Sequence, residues 1–175
     1  MDWTLLGFKG LGQVVNVHPV FVHFPIALFP TALFLYFFGI ITKKGSFIFS
    51  GRVCLYLAFL ASIVAVVTGK IAANTVPHNE AIHKIILVHT QVGFGILFLG
   101  FALSLWSFLN RNNGLKFRWI FLALLAFAAL AALQNGDLGG RMVFIEGAGV
   151  KPALPAMEPE HHHHHEDDDH PGHHE

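Results

Sequence analysis

Five histidines lie in or beside long apolar segments of this chain: His18, His23, His78, His83 and His89. Imidazole is the side chain that most often binds a transition metal, and it is a common axial ligand of haem iron. An ionisable side chain inside a membrane segment is by default a candidate for function. The histidines therefore predict a haem or metal site within a membrane protein.

His23 and His89 are the deeper pair, because each is expected one to two turns inside its helix. At 1.5 Å per residue they would lie about 5 to 13 Å below the membrane boundary. The two helices enter from the same side, so both imidazoles can act as axial ligands of one haem b. Gly93 and Gly100 share the face of His89, where they would leave a groove for a flat macrocycle. Ordinary helix packing through polar and small residues is the alternative for these positions.

His18 and His83 are expected closer to the membrane surface. With His78 they would form a second, shallower site suited to Cu or Zn, or they would hydrogen-bond the segment after the last span. Neither His18 with His23 nor His83 with His89 can face one plane from a regular helix.

The C-terminal tail is the other histidine-rich feature. Imidazoles interleaved with carboxylates suit Cu, Zn and Ni, and the irregular pattern favours a native tail over an expression tag. The tail histidines are His161, His162, His163, His164, His165, His170, His173 and His174.

The elements that position these residues follow from composition. The 175 residues are 54% apolar and 13% charged, whereas soluble domains carry about 25% charged residues. A span needs about 20 mostly apolar residues, and four segments qualify, at about residues 19–42, 53–73, 82–109 and 119–133. Short connections favour antiparallel neighbours. We predict an all-α integral membrane protein, a four-helix up-down bundle.

Lysine and arginine in the loops predict the orientation. The connections after spans one and three contain basic residues and no acid, a pattern typical of the cytoplasmic side. The basic residues are Lys43, Lys44, Arg52, Arg111, Lys116 and Arg118. Both termini and the histidines would then lie on the outer, periplasmic side of a bacterial inner membrane.

Three segments lie outside the predicted spans. Residues 1–15 read as a short amphipathic lead-in to the membrane domain, residues 16–150. The glycine-rich stretch at 136–150 is expected to leave the helix and fold over the outer mouth as a lid. The tail, residues 151–175, has too few apolar groups to fold alone and is expected to be disordered.

The phrase His18-Pro-Val-Phe-Val-His23-Phe-Pro-Ile-Ala-Leu28 resembles the opening of a bacterial membrane family catalogued as domain of unknown function 2231. Thr68-Gly69 and Gly139-Gly140-x-x-Val-Phe144 are similar to further features of that family, as is a histidine early in span three, a place for which His83 and His89 compete. The resemblance covers about residues 16–150. It implies the four-span topology and an affinity with small membrane cytochromes of the b type.

These observations narrow the function classes. A single cysteine excludes a disulfide, and the absence of Cys-x-x-Cys-His excludes covalently attached haem. The sequence lacks the basic stripe that would indicate binding to nucleic acid. It also lacks the nucleophile and phosphate-loop motifs that would indicate an autonomous enzyme. We predict a b-type electron-transfer protein that exchanges electrons with the quinone pool or a redox partner, with Thr68 and Gly69 helping to shape the haem pocket. The alternatives are a metal-binding or metal-transport protein, and a cofactor-free accessory subunit of a larger membrane complex.

Overall fold

The structure, a computed structural model, describes residues 17–75, 79–112 and 116–148. These ranges form four α-helices: α1 His18–Thr42, α2 Gly45–Thr75, α3 Glu80–Leu109 and α4 Arg118–Phe144. All four are long and apolar enough to cross a membrane, and the described ranges contain no strand. The predicted all-helical membrane protein is confirmed.

The four described helices pack as a ring. The backbone of α1 lies against α2 and α4, and that of α3 lies against the same two helices, whereas α1 and α3 face each other across the ring, as do α2 and α4. Only Lys43 and Lys44 connect α1 to α2, and Lys43 adopts a left-handed conformation at φ 55° that ends α1. A two-residue connection forces α1 and α2 to lie side by side. Because the connection is so short, α2 begins at Gly45, eight residues before the predicted span.

The interior of the bundle holds a few large side chains among many small ones. Phe29, Tyr36 and Phe121 are fully buried, and alanines fill much of the rest of the core. Large apolar side chains such as Phe98 and Phe127 point outward, with 74% and 65% of their surface exposed. Small residues inside and apolar residues outside are typical of helices that pack within lipid.

Both helices that carry the histidines begin with recognisable signals. Pro19 occupies the first turn of α1, where its missing N–H costs no helical hydrogen bond. The Asn79 side chain accepts a hydrogen bond from the Ile82 backbone N–H at 2.9 Å, which caps α3. α1 and α3 start at the same end of the bundle, because His18, the first residue of α1, meets His89 in the third turn of α3, and we call this the histidine end.

One expectation is corrected: the segment from residue 136 to residue 144 is helical and does not leave α4 as a lid. Gly136 allows close packing between α4 and α1, because a Cβ on it would lie 2.8 Å from Ile26 Cδ1. Packing of this kind offsets the low helix propensity of glycine. α4 therefore ends eleven residues after the predicted end of span four. The lead-in 1–15, the tail 151–175 and His78 lie outside the described residues.

Candidate functional site

His18 and His89 meet inside the histidine end of the bundle. Their ring centroids are 6.0 Å apart and the ring planes are perpendicular, at 90°. His18 is the first residue of α1, whereas His89 lies in the third turn of α3. The two rings lie at the same height along the bundle because α3 begins further out than α1. Both side chains are partly buried.

The partners of the two Nδ1 atoms determine which ring nitrogen carries hydrogen. Thr68 Oγ1 donates its own hydrogen to the Val64 carbonyl at 2.8 Å, so it can accept from His18 Nδ1–H at 3.1 Å. His89 Nδ1 lies 3.1 Å from the Asn135 carbonyl oxygen, which can only accept. The Asn135 carbonyl favours the Nδ1–H tautomer of His89, and Thr68 Oγ1 can accept from Nδ1–H of His18; in that tautomer the lone pair that binds a metal is on Nε2.

The spacing of the pair matches two imidazoles on opposite sides of one metal ion. A metal–imidazole bond is about 2 Å long, and each nitrogen lies about 1 Å from its ring centroid, so two axial ligands place their centroids about 6 Å apart. The measured separation is 6.0 Å.

One glycine faces each histidine ring, Gly69 beside His18 and Gly139 beside His89. A Cβ on Gly69 would lie 2.9 Å from His18 Cε1, closer than carbon atoms ordinarily approach. A Cβ on Gly139 would lie 3.7 Å from His89 Cε1, an ordinary contact. α2 therefore approaches the His18 ring more closely than α4 approaches the His89 ring.

A cavity of about 460 Å³ surrounds the histidine pair and receives residues from all four helices. This volume lies within the range of about 300 to 1,000 Å³ typical of small-molecule and cofactor sites. Most lining residues are apolar or glycine; the polar ones include His23, Lys70, Thr90 and Asn135. Asn135 Oδ1 is buried and makes no hydrogen bond within the described residues.

The predicted site residues are distributed unevenly around this cavity. His23 lines it from α1 but is exposed, and the structure brings His18 to His89 in its place. Gly69 and Gly93 line it, whereas Gly100 packs against Phe29 in the core.

The predicted metal set is dispersed in the part that the structure describes. His83 is exposed and is not among the residues that line the cavity. Residues 17–75, 79–112 and 116–148 contain no group of three or more His, Cys, Asp or Glu side chains placed to hold a metal ion. His78 and the tail histidines, His161 to His174, lie outside the described residues.

Asn135 is the site residue that the sequence patterns did not predict. It binds His89 through its backbone, and it lies beyond residue 133, where the predicted span four ends. The signal that could have found it is the series Gly136, Gly139 and Gly140, whose spacings of three and four residues are those of a small-residue helix face. The glycine content of the wider segment favours a loop instead.

The fold and the cavity define this chain as a helical membrane protein with a histidine pair at one end of a four-helix bundle. It belongs to the family described as predicted membrane protein (DUF2231), whose family model matches residues 14–152. No curated protein and no solved structure matches the chain.

Proposed function

We propose that this protein is a membrane b-type cytochrome that binds one haem between His18 and His89 and transfers electrons. The observation that carries the proposal is the His18–His89 pair, with its 6.0 Å centroid separation and its two Nδ1 hydrogen bonds. His89 keeps the role assigned to it from the sequence, and His18 takes the role first assigned to His23.

The size and lining of the cavity favour a haem over a bare ion. A metal ion needs only its ligands, whereas about 460 Å³ of largely apolar space suits a flat macrocycle. Haem b also carries two carboxylates, and Lys70 supplies a cation on the cavity wall at the histidine end. Gly69 on α2 and Gly93 on α3 have no side chain, so they leave space in the cavity beside the histidine pair.

The surrounding hydrogen bonds suit an electron carrier. A haem held by His18 and His89 would supply one-electron chemistry. Nδ1–H donation to Thr68 Oγ1 and to the Asn135 carbonyl orients each ring and raises the basicity of Nε2. Apolar lining restricts water around the site, which also affects the redox potential.

The orientation expected from the basic loops places this site toward the outer face of a bacterial inner membrane, with both termini outside. Electrons would pass between the quinone pool or a membrane partner and an acceptor at that face.

A Cu or Zn site on the same two Nε2 atoms is the second candidate, because the pair could also hold a single ion. The predicted outer cluster of His18, His78 and His83, together with the histidine-rich tail, belongs to this candidate.

The test is haem titration of purified apoprotein, followed by visible spectroscopy and metal analysis. We expect one haem per chain in the wild type, and loss of the low-spin spectrum in His18→Ala and His89→Ala. His83→Ala is the matched control, because His83 is exposed and outside the cavity lining. His23→Ala separates the two assignments, since it should keep two axial histidines.

Two results would contradict the proposal. If the His18 and His89 variants titrate like wild type, the pair does not bind haem. If wild type takes up no haem but retains one Cu or Zn that both variants lose, the second candidate replaces the first.

A further inference from the structure

A second polar cluster lies at the opposite end of the bundle, where three helices contribute one side chain each. Tyr36 Oη and Ser107 Oγ are 2.6 Å apart, and Arg52 Nε donates to Ser107 Oγ at 3.2 Å. Tyr36 and Ser107 are 0% and 1% exposed, whereas Arg52 is partly exposed. We call these three residues the Arg52 cluster.

The Arg52 cluster lies near the boundary between the hydrocarbon core and the lipid headgroups. A hydrocarbon core about 30 Å thick needs about 20 helical residues, and α3 has 30, which leaves roughly 7 Å of α3 outside the core at each end. Ser107 is two residues before the end of α3, and Tyr36 is six residues before the end of α1. At 1.5 Å per residue Ser107 lies about 3 Å from its helix end, outside the core, and Tyr36 lies about 9 Å from its helix end, a few Å inside the core. Arg52 is seven residues after the start of α2, or about 10 Å, which places its backbone close to the core boundary.

Among residues 17–75, 79–112 and 116–148 no carboxylate lies at this end, because the acids they contain, Glu80, Asp137 and Glu146, lie at the start of α3, near the end of α4 and just after it. The chain has no Asp or Glu between Asp2 and Glu80, and none between Glu80 and Asp137. A partly buried guanidinium is costly unless an anion and hydrogen bonds compensate it. The bond to the neutral Ser107 hydroxyl uses one of its five N–H donors. Within the described residues the guanidinium has no anionic partner, and a phosphate group from outside the bundle would supply one.

We propose that Arg52 binds the phosphate of an anionic phospholipid. Tyr36 Oη is hydrogen-bonded to Ser107 Oγ, and Ser107 Oγ accepts from Arg52 Nε, which fixes the orientation of the guanidinium. Arginine nitrogens bind phosphate oxygens in pairs, with stronger and more directional bonds than lysine makes. Lys43 and Lys44, exposed in the α1–α2 turn, add attraction for a negatively charged headgroup. A free phosphate ion shares this chemistry, but the depth of the cluster favours the lipid. The proposal is independent of haem binding.

The experiment measures phosphatidylglycerol binding to delipidated full-length protein in phosphatidylcholine nanodiscs, by mass spectrometry and by thermal unfolding. Hydrogen bonds between charged groups contribute about 1.5 to 3 kcal/mol, so loss of the oriented guanidinium–phosphate bonds in Arg52→Gln should weaken binding at least about 10-fold. Arg111→Gln is the charge-matched control, because Arg111 is exposed with its guanidinium 4.1 Å over the Phe108 ring. It should bind within about two-fold of wild type, since it leaves the Arg52 cluster intact.

Two further measurements separate an oriented lipid site from general charge attraction and from a site for free phosphate. Ser107→Ala keeps every charge but frees the guanidinium, so it should weaken binding and guards against misfolding of the Arg52 variant. Inorganic phosphate should neither stabilise the protein nor compete with the lipid. The proposal is overturned if Arg52→Gln binds like wild type, if Arg111→Gln loses as much, if Ser107→Ala binds like wild type, or if free phosphate replaces the lipid.

Discussion

Replacing Gly69 with alanine tests how closely α2 approaches the proposed haem ligand His18. The added Cβ would lie 2.9 Å from His18 Cε1 and 3.3 Å from Nδ1. Carbon atoms in contact are ordinarily about 3.5 to 4.0 Å apart, so the ring must retreat by at least about 0.6 Å. Thr68, the acceptor of the Nδ1–H bond, is the preceding residue, and its 3.1 Å bond has little room to lengthen.

The expected effect on stability is small and the effect on haem is large. Overpacking costs about 1 to 3 kcal/mol, and alanine returns about 1 kcal/mol of helix propensity relative to glycine. Haem binding requires the ligand within about 0.5 Å of its productive position. Disturbing an outer hydrogen bond of a metal ligand lowers affinity by about 10- to 100-fold. We expect at least a 10-fold loss of haem affinity in Gly69→Ala.

Gly139→Ala is the matched control, because its Cβ would meet His89 Cε1 at 3.7 Å without displacing it. Haem titration of both variants, with thermal unfolding of the apoproteins, separates ligand displacement from general instability. Wild-type haem affinity in Gly69→Ala, or an equal loss in Gly139→Ala, would refute the assignment of Gly69 as the residue that makes room for His18.

Two further predictions concern α1 and α2. Gly39→Ala should destabilise the protein by about 1 to 3 kcal/mol, because its Cβ would lie 2.9 Å from the backbone nitrogen of Ile48. A Cβ on Gly45 would meet nothing within 4 Å, so Gly45→Ala should be neutral or slightly stabilising. Thermal unfolding compares them, and a Gly39 variant as stable as the Gly45 variant would contradict the close α1–α2 packing. Thr68→Val removes the acceptor of His18 Nδ1–H, so haem titration should show about 10-fold weaker binding. Thr68→Ser keeps the hydroxyl and should retain wild-type affinity. Equal haem affinity in the two variants would exclude a role for the hydroxyl.

The four spans could be predicted because apolar length alone identifies a membrane helix. Their ends were less accessible, since glycine in a run such as Gly136 to Gly140 favours a loop in water but serves close packing between membrane helices. That error removed Asn135 from the expected site. It also predicted that the chain leaves the helix at residue 136, whereas α4 continues to Phe144.

The choice between His18 and His23 depends on the relative heights of two helices. Angular positions on a helical wheel separate these histidines but do not show which one faces α3. His23 could pair with His89 only if the two side chains lay at the same depth in the membrane. α3 begins further out than α1, and this offset brings His89 level with His18 instead. Relative helix heights depend on tertiary packing, which the periodicity of a single segment does not report.

The Arg52 cluster left no signal in the sequence. Tyr36, Arg52 and Ser107 come from three helices and share no motif, so only the packed bundle places them together. In the sequence Arg52 is one of several basic residues near a loop. Its hydrogen bond to a buried serine distinguishes it from the others.

The most direct test of haem binding is the reduced-minus-oxidised visible spectrum of the intact protein, purified from cells supplied with haem. We predict a sharp α band typical of a low-spin b-type cytochrome, and its loss in both His18→Ala and His89→Ala. A well-folded wild-type protein that contains no haem and shows no α band would contradict the proposed function.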